Sequence, residues 1–303
     1  MDNVALVVGE SLVDVVHAAD GSVTAFPGGS AANVAVALSR LERPTLLATS
    51  WADDEHGRLL ADHLAANGVG LASDPLQLAR TSTAVATIGP GGGASYDFDI
   101  EWRMAQPTDL APVVVHLCSL GAVLSPGADD VRDLVARMRT GATVSFDLNL
   151  RPEVSGRGDE VRRRAEHLVG LSDVVKASDE DLKGLFPLRS APESAAALLA
   201  LGPAAVVLTR GSAGATCFTA EATVEVAALE TEVVDTIGAG DTFSAAVVDA
   251  LWARDLLGAP ARARLRALDP AGWQEVLTHG AAAAAVTVSR AGADPPYRRE
   301  LER

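Results

Sequence analysis

Residues 233–251 read VVDTIGAGDTFSAAVVDAL: an apolar run, a turn built from Gly238, Ala239 and Gly240, and then Asp241 at the start of a helical pattern. Beyond the turn, Phe243, Ala246, Val247, Ala250 and Leu251 recur at i, i+3, i+4, i+7 and i+8, the spacing of one buried helical face. Gly238 to Asp241 is therefore a helix entry. Backbone amides freed by such a turn, with the positive end of a helix behind them, suit a phosphate group. Asp241 is an anion at the edge of that site. Read alone, it serves equally well as an N-terminal cap, and the glycines as a tight turn.

The rest of the chain sets that turn in an α/β fold. Apolar strand-like runs at 4–9, 45–50, 113–120, 142–149, 173–178 and 204–211 alternate with helical patterns at 31–41, 54–68, 128–141, 159–172 and 194–202. That rhythm predicts a mostly parallel sheet with crossover helices. Two segments, 10–26 and 81–104, instead read as hairpins with Asp-Gly or Gly-rich turns. They are expected to form a lid over the carboxyl ends of the strands, where open α/β sheets bind ligands. No internal repeat divides the sequence, so a single domain over residues 1–303 is expected.

Composition narrows the function. With 303 residues, 48% hydrophobic and 21% charged, the chain buries a large core. A net charge of −15 is unsuited to nucleic acid, which needs a basic surface. The apolar runs are too short to span a bilayer and no signal segment opens the sequence, so no membrane association and a cytoplasmic location are expected. Cys118 and Cys217 lack metal-ligand spacing and read as buried thiols.

Four further stretches carry polar groups at element ends. In FPGGSAANVAVALSRL (26–41), Gly28 and Gly29 allow close approach to the backbone and Asn33 brings a donor and an acceptor, a set that suits a polyhydroxylated ligand or a simple helix start. In SFDLNLRP (145–152), Asp147, Asn149 and Arg151 alternate at a strand end, pointing to one side, with a surface salt bridge as the plain alternative. In VVKASDED and VVLTRGSAGA, Lys176 and Ser178 leave one strand and Thr209, Gly211 and Gly214 the next. The run SDED by itself is best read as a helix cap with acids in the first turn.

The ordered set GGSAANVAVALSRL, DLNLRP, VVKASDED, LTRGSAGA, DTIGAGDTFSAA and SRAGADPP resembles the ribokinase/PfkB-type sugar kinases, and is most similar to their fructokinase-like branch. The resemblance implies a ribokinase-like three-layer sandwich with a β-hairpin lid and ATP-dependent phosphorylation of a sugar hydroxyl. It puts Asp241 in the catalytic-base position and Gly238, Ala239 and Gly240 in the anion hole. Sugar contacts would come from Asp14, Gly28, Gly29, Asn33 and Arg151, and from Tyr96 and Arg103 of the lid. The nucleotide, with Mg2+, would lie along Lys176, Ser178, Thr209, Gly211 and Gly214. A monovalent cation such as K+, required by many members, would sit at Asp235 and Gly292. The exposed lid edge is expected to favour a homodimer.

The chain departs from the family pattern at Leu41-Glu42, at Trp51-Ala52-Asp53-Asp54, in the lid sequence YDFDIEWRMA and at Ser178-Asp179-Glu180-Asp181. The last leaves open which acid orients magnesium waters. 2-Keto-3-deoxygluconate or a nucleoside remain alternative acceptors, and a catalytically silent sugar or nucleotide sensor an alternative class. A nicotinamide-dependent oxidoreductase is set aside, because Gly9-Glu10-Ser11-Leu12 follows the first strand in place of a G-x-G-x-x-G turn.

Overall fold

A computed structural model describes residues 3–18, 20–88 and 94–302, with only the backbone of Ala94 and Tyr96. The strands are β1 (Ala5–Val8), β2 (Leu12–His17), β3 (Val23–Gly28), β4 (Thr45–Ala48), β5 (Gly70–Leu71), β6 (Thr83–Ile88), β7 (Ala94–Asp99), β8 (Val114–Cys118), β9 (Thr143–Asp147), β10 (Val174–Ser178), β11 (Ala205–Thr209), β12 (Ala215–Phe218) and β13 (Thr223–Val226). The helices are α1 (Ser30–Arg40), α2 (Glu55–Ala66), α3 (Gly127–Met138), α4 (Pro152–Ser155), α5 (Asp159–Leu171), α6 (Asp179–Leu185), α7 (Ala191–Leu199), α8 (Ala239–Ala253), α9 (Arg262–Arg266), α10 (Pro270–Val288) and α11 (Arg298–Leu301).

The main sheet runs β13-β12-β11-β10-β9-β8-β1-β4-β5. Every pair from β5 to β11 is parallel, and β12 and β13 add antiparallel at one edge. Alternation along the parallel strands separates two cores. Leu6, Val8, Val115, Leu117, Val144, Phe146, Val175 and Leu208 pack with α3, α5 and α7. The opposite face packs Ala5, Val7, Val114 and Cys118 with α1 and α2, and Val174, Ala205 and Val207 with α8 and α10. The result is helix, sheet, helix.

The order of strands changes direction at β1, which sits between β4 and β8. A crevice opens at such a point beyond the carboxyl ends of the strands. Close packing there is possible because Gly9 has no side chain: a Cβ would lie 2.9 Å from the Ala31 Cβ and 3.3 Å from the Cys118 carbonyl oxygen.

Both expected hairpins form, and they join. β2 pairs antiparallel with β3, β6 pairs with β7, and β2 pairs parallel with β6, giving a separate sheet β3-β2-β6-β7. Its outer strand β3 leaves Val23 and Phe26 more than half exposed.

Two features differ from the sequence reading. β12, β13 and the long helix α10 were not anticipated; in α10, residues 281–285 are all alanine and give no face by periodicity. Helix α8 is also buried all round from Asp241 to Leu251, not on one face. It lies between the sheet, α1 and α10: Ala245 and Val248 meet the α1 side, while Phe243, Val247 and Leu251 meet the α10 side.

Candidate active site

The turn before α8 is held by geometry that only glycine tolerates. Gly238 takes φ 74 and ψ −2, and a Cβ there would come 2.6 Å from the Ala293 Cβ. Its left-handed conformation turns the chain into the helix, and the first-turn amides of Gly240 and Asp241 take no partner among the described residues. The Lys176 ammonium lies directly under the turn, 3.1 Å from where a Gly240 Cβ would be. The arrangement suits an anion: a cradle of free amides with a buried cation beneath it.

Lys176 reaches that position from the face of β10 that looks toward α8. It donates to Asp147 Oδ2 at 2.9 Å, and the Ser244 hydroxyl of α8 donates to the same oxygen at 2.9 Å. Asp147 is fully buried, its Oδ1 has no partner among the described residues, and burial pushes its carboxyl up to about 6 despite the Lys176 charge. Burial pulls the Lys176 ammonium down, but the charges of Asp147, Asp181 and Asp241 outweigh it and the net shift is upward. The pair is thus internal, where the sequence reading weighed a surface salt bridge.

Asp241 itself is 8% exposed and faces α1. Ser30 Oγ donates to its Oδ1 at 2.6 Å, and Asn33 Nδ2 donates to its Oδ2 at 2.8 Å. The glycines ahead of α1 make this approach possible. Gly28 leaves room for Asp14, whose Oδ2 would lie 2.3 Å from a Gly28 Cβ, and Gly29, at φ 100, sits 2.8 Å from the Glu10 carbonyl by the same measure. Asp14 is half buried, and burial lifts its carboxyl to about 6.

The expected alternation of Asp147, Asn149 and Arg151 stops at Asp147, where β9 ends. Asn149 turns to φ 37, its carbonyl accepts from Ser119 Oγ at 3.1 Å, and its Nδ2 donates to Ser30 Oγ at 2.9 Å. Arg151 is exposed and donates to the Leu150 carbonyl at 2.9 Å. Ser178 and Asp181 form a capping box on α6, and Asp181 Oδ1 also accepts from the Leu150 amide at 2.7 Å. The cap reading of SDED therefore holds, and Asp179 and Glu180 are left exposed at the strand end.

The remaining candidates fall into three places. Thr209 pairs with Ser178 across β11 and β10, and Gly211 is exposed in the loop beyond. Gly214, at φ 85, is required by packing, since a Cβ would lie 2.1 Å from the Val226 carbonyl oxygen. Lys176 stands apart from that loop, under the turn. Asp235 and Gly292 meet directly: Gly292 N donates to Asp235 Oδ2 at 2.9 Å, and Ile237 N donates to Oδ1 at 3.0 Å. In the lid, Arg103 is exposed and paired with Glu101 at 2.9 Å, and the Tyr96 side chain lies outside the described residues.

Two residues that the sequence reading did not select, Ser30 and Glu10, lie beside these groups, and Asn149, read there as one of an alternating set, joins them differently. Ser30 bonds Asp241, and Asn149 bonds Ser30. Glu10 is 2% exposed, accepts from the Gly121 amide at 2.7 Å, and is pushed by burial up to about 7. An acid directly after an apolar strand was the available signal.

A carboxylate at the mouth of an anion cradle, facing a glycine-rich helix start, is the arrangement a phosphoryl-transfer site needs. The family model for the pfkB family carbohydrate kinases matches residues 2–299. The chain belongs to the pfkB family of carbohydrate kinases. Members are phosphotransferases with an alcohol group as acceptor. A fructokinase of Rhizobium leguminosarum bv. trifolii is 31% identical over 263 residues, 82% of this chain and 80% of the relative. The structure of a Xylella fastidiosa fructokinase with bound ATP superposes with a TM-score of 0.88 at 26% identity, covering 100% of this chain and 98% of that one. A double-mutant fructokinase of Vibrio cholerae O395, bound to fructose, ADP and potassium ion, gives a TM-score of 0.80 at 27% identity over 96% of this chain and 94% of that one. Among the described residues no helix is long and apolar enough to cross a membrane.

Proposed function

We propose that this kinase transfers the γ-phosphate of ATP to a hydroxyl of a small sugar, with fructose the acceptor best supported by its relatives. The observation that carries the reading is Asp241, held at the junction of the α8 cradle and the first turn of α1. Asp241 accepts the proton of the attacking hydroxyl. The amides of Gly240 and Asp241, the dipole of α8 and the Lys176 charge receive the γ-phosphate oxygens as negative charge shifts between them.

Asp14, Gly28, Gly29, Asn33 and Arg151 form the sugar side, and the sheet β3-β2-β6-β7, with Tyr96 and Arg103, closes over it. Closure excludes water, which would otherwise compete as acceptor. The nucleotide lies along Thr209, Gly211 and Gly214. Among the described residues no three His, Cys, Asp or Glu side chains gather to hold a metal. That suits magnesium taking its ligands mainly from phosphates and water, with Asp179 and Glu180 as the carboxylates on offer. When bound with the nucleotide, magnesium neutralises phosphate charge. The direct meeting of Asp235 and Gly292 supports a potassium site at that corner. The exposed β3 edge, with Val23 and Phe26, supports a homodimer through the lid. The cytoplasm, which holds ATP, is the compartment this reading implies.

The test is a coupled ADP-release screen over hexoses, pentoses, keto acids and nucleosides, with and without potassium, run on the protein and on Asp241→Asn. Loss of on the order of 10²- to 10⁴-fold in rate is expected for the variant. Near-normal turnover by a folded Asp241→Asn protein would refute the base assignment, and silence of the parent protein across the panel would refute the kinase reading.

A further inference from the structure

Both oxygens of Asp241 are covered, yet the two donors covering them are held very differently. Ser30 is 8% exposed, and its single hydroxyl proton goes to Oδ1. Its oxygen in turn accepts Asn149 Nδ2 at 2.9 Å. That second bond favours the direction of the first: the amide supplies the proton on one side, and of the two groups in hydrogen-bond reach on the other, the Asp241 carboxylate is a far stronger acceptor than the buried Cys118 thiol.

Asn149 is itself locked. It sits at φ 37 and Ser119 at φ 57, a region that non-glycine residues rarely occupy, and Ser119 Oγ donates to the Asn149 carbonyl at 3.1 Å. Two neighbouring strand ends, β8 and β9, are thus bent so that one amide nitrogen meets Ser30. Such backbone outliers persist only where the surroundings over-determine them, and they gather at functional sites.

Asn33 is different. It is half buried, and Asp241 is the one side-chain partner of its amide among the described residues. A sugar hydroxyl arriving at Oδ2 can displace it, and the released amide can then bind the sugar.

Resting on the kinase reading above, we infer that Ser30, oriented by Asn149, is a positioning residue that holds Asp241 Oδ1, so that Oδ2, uncovered when substrate displaces Asn33, is the oxygen that takes the proton. In that step the sugar O–H bond breaks and its proton forms a bond to Oδ2. The sugar oxygen then bonds to the γ-phosphorus, and the bond to the β,γ-bridging oxygen breaks with its electron pair leaving on ADP. With Oδ1 tied, the carboxylate cannot rotate away from the attacking hydroxyl.

The experiment is steady-state ADP release, using fructose or whichever acceptor the screen returns, for Ser30→Ala, Ser30→Thr, Asn149→Ala and Asp241→Asn, with thermal unfolding of each. Removing a hydrogen bond to a charged group is expected to lower kcat of Ser30→Ala on the order of ten- to a hundredfold. Because Ser30 acts through Asp241 and not on bound sugar, the sugar KM stays within about twofold. Ser30→Thr, which keeps the hydroxyl, recovers most of kcat, and Asn149→Ala falls in the same sense as Ser30→Ala. A Ser30→Ala protein with parental kcat, or a loss that threonine fails to restore, overturns the inference. An active Asp241→Asn protein separately overturns the base assignment on which it rests.

Discussion

Exchanging Glu10 for glutamine is expected to stabilise the protein above neutral pH and to change it little under mildly acidic conditions. Glu10 lies two residues beyond β1 at 2% exposure, and burial carries its carboxyl from 4.5 to about 7 against the pull of its own and the Gly121 amides, the Ser119 hydroxyl and Arg151. The folded chain therefore keeps a proton in a range where the unfolded chain has released it. The contribution of the protonated group is complete below 4.5 and is lost as pH climbs through about 7. A difference of this size corresponds to about 3 kcal/mol once both states are ionised. Glutamine keeps an oxygen for the Gly121 amide and has no proton to lose. Urea unfolding of both proteins at about pH 5 and about pH 8.5 reads the effect directly: the parent is expected to lose about 2–3 kcal/mol relative to the variant between those points. Parallel stability curves would refute the reasoning, for they would mean that the amides, Ser119 and Arg151 hold the folded carboxylate as well as water does.

Gly238→Ala forces an alanine into a left-handed turn and onto Ala293, and is expected to cost about 1–3 kcal/mol of stability together with most turnover; relieving the contact with Ala293→Gly should recover only part of the stability, measured by denaturant unfolding. Asp249 accepts from Arg43 at 2.6 Å, Arg298 at 2.6 Å and His279 at 2.9 Å, and although burial alone would raise its carboxyl, these bonds hold it down at about 2. Asp249→Ala removes the acceptor these three groups share, while Arg298 keeps the Leu41 carbonyl and Glu42, and is expected to cost about 2–3 kcal/mol. The contribution of Asp249 is present above the ordinary carboxylate range and lost as pH falls through about 2, so acid titration of unfolding should lose that low-pH component in the variant. Lys176→Met strands the buried Asp147 carboxylate and removes the charge beneath the cradle. Stability should fall and be partly restored by adding Asp147→Asn, while kcat stays low in both.

What could be read from the sequence was local. The turn at 238–241, the start of α1 and the exits of β10 and β11 are each coded within a few residues by glycine, by a cap or by an apolar run, and each appears where it was expected, whereas β9 ends at Asp147, short of the expected alternation. The parallel pairing of β2 with β6 was not legible, because it joins segments about seventy residues apart and neither strand carries a sign of its partner. Helix α10 was hidden by its alanines. Within the site, Ser30 looked like one small residue among several at a helix start, and Asn149 like the next position in an alternating strand. Their roles depend on positive φ angles and on a contact across 119 residues of chain, which spacing cannot express.

The fold also explains how a chain of net charge −15 can receive a polyanion. Four aspartates surround the cradle, and three are fully engaged as acceptors. Asp241 takes Ser30 and Asn33, Asp181 takes the amides of Leu150 and Ser178, and Asp235 takes those of Ile237 and Gly292. Of these four, only Asp147 keeps an oxygen without a partner among the described residues, and it alone lies within ion-pair distance of Lys176. Donors that satisfy a carboxylate also blunt its field, whereas the amides of Gly240 and Asp241 face the opening without an acceptor. The net charge is a property of the whole surface, screened within about 8 Å at physiological salt, so a phosphate bound as proposed would meet chiefly the local field of amides, helix and ammonium. The two aspartates of the opening stretch divide along the same line: Asp235 is bound by backbone amides behind the turn, and Asp241 is held in front of it by two side chains, Ser30 and Asn33.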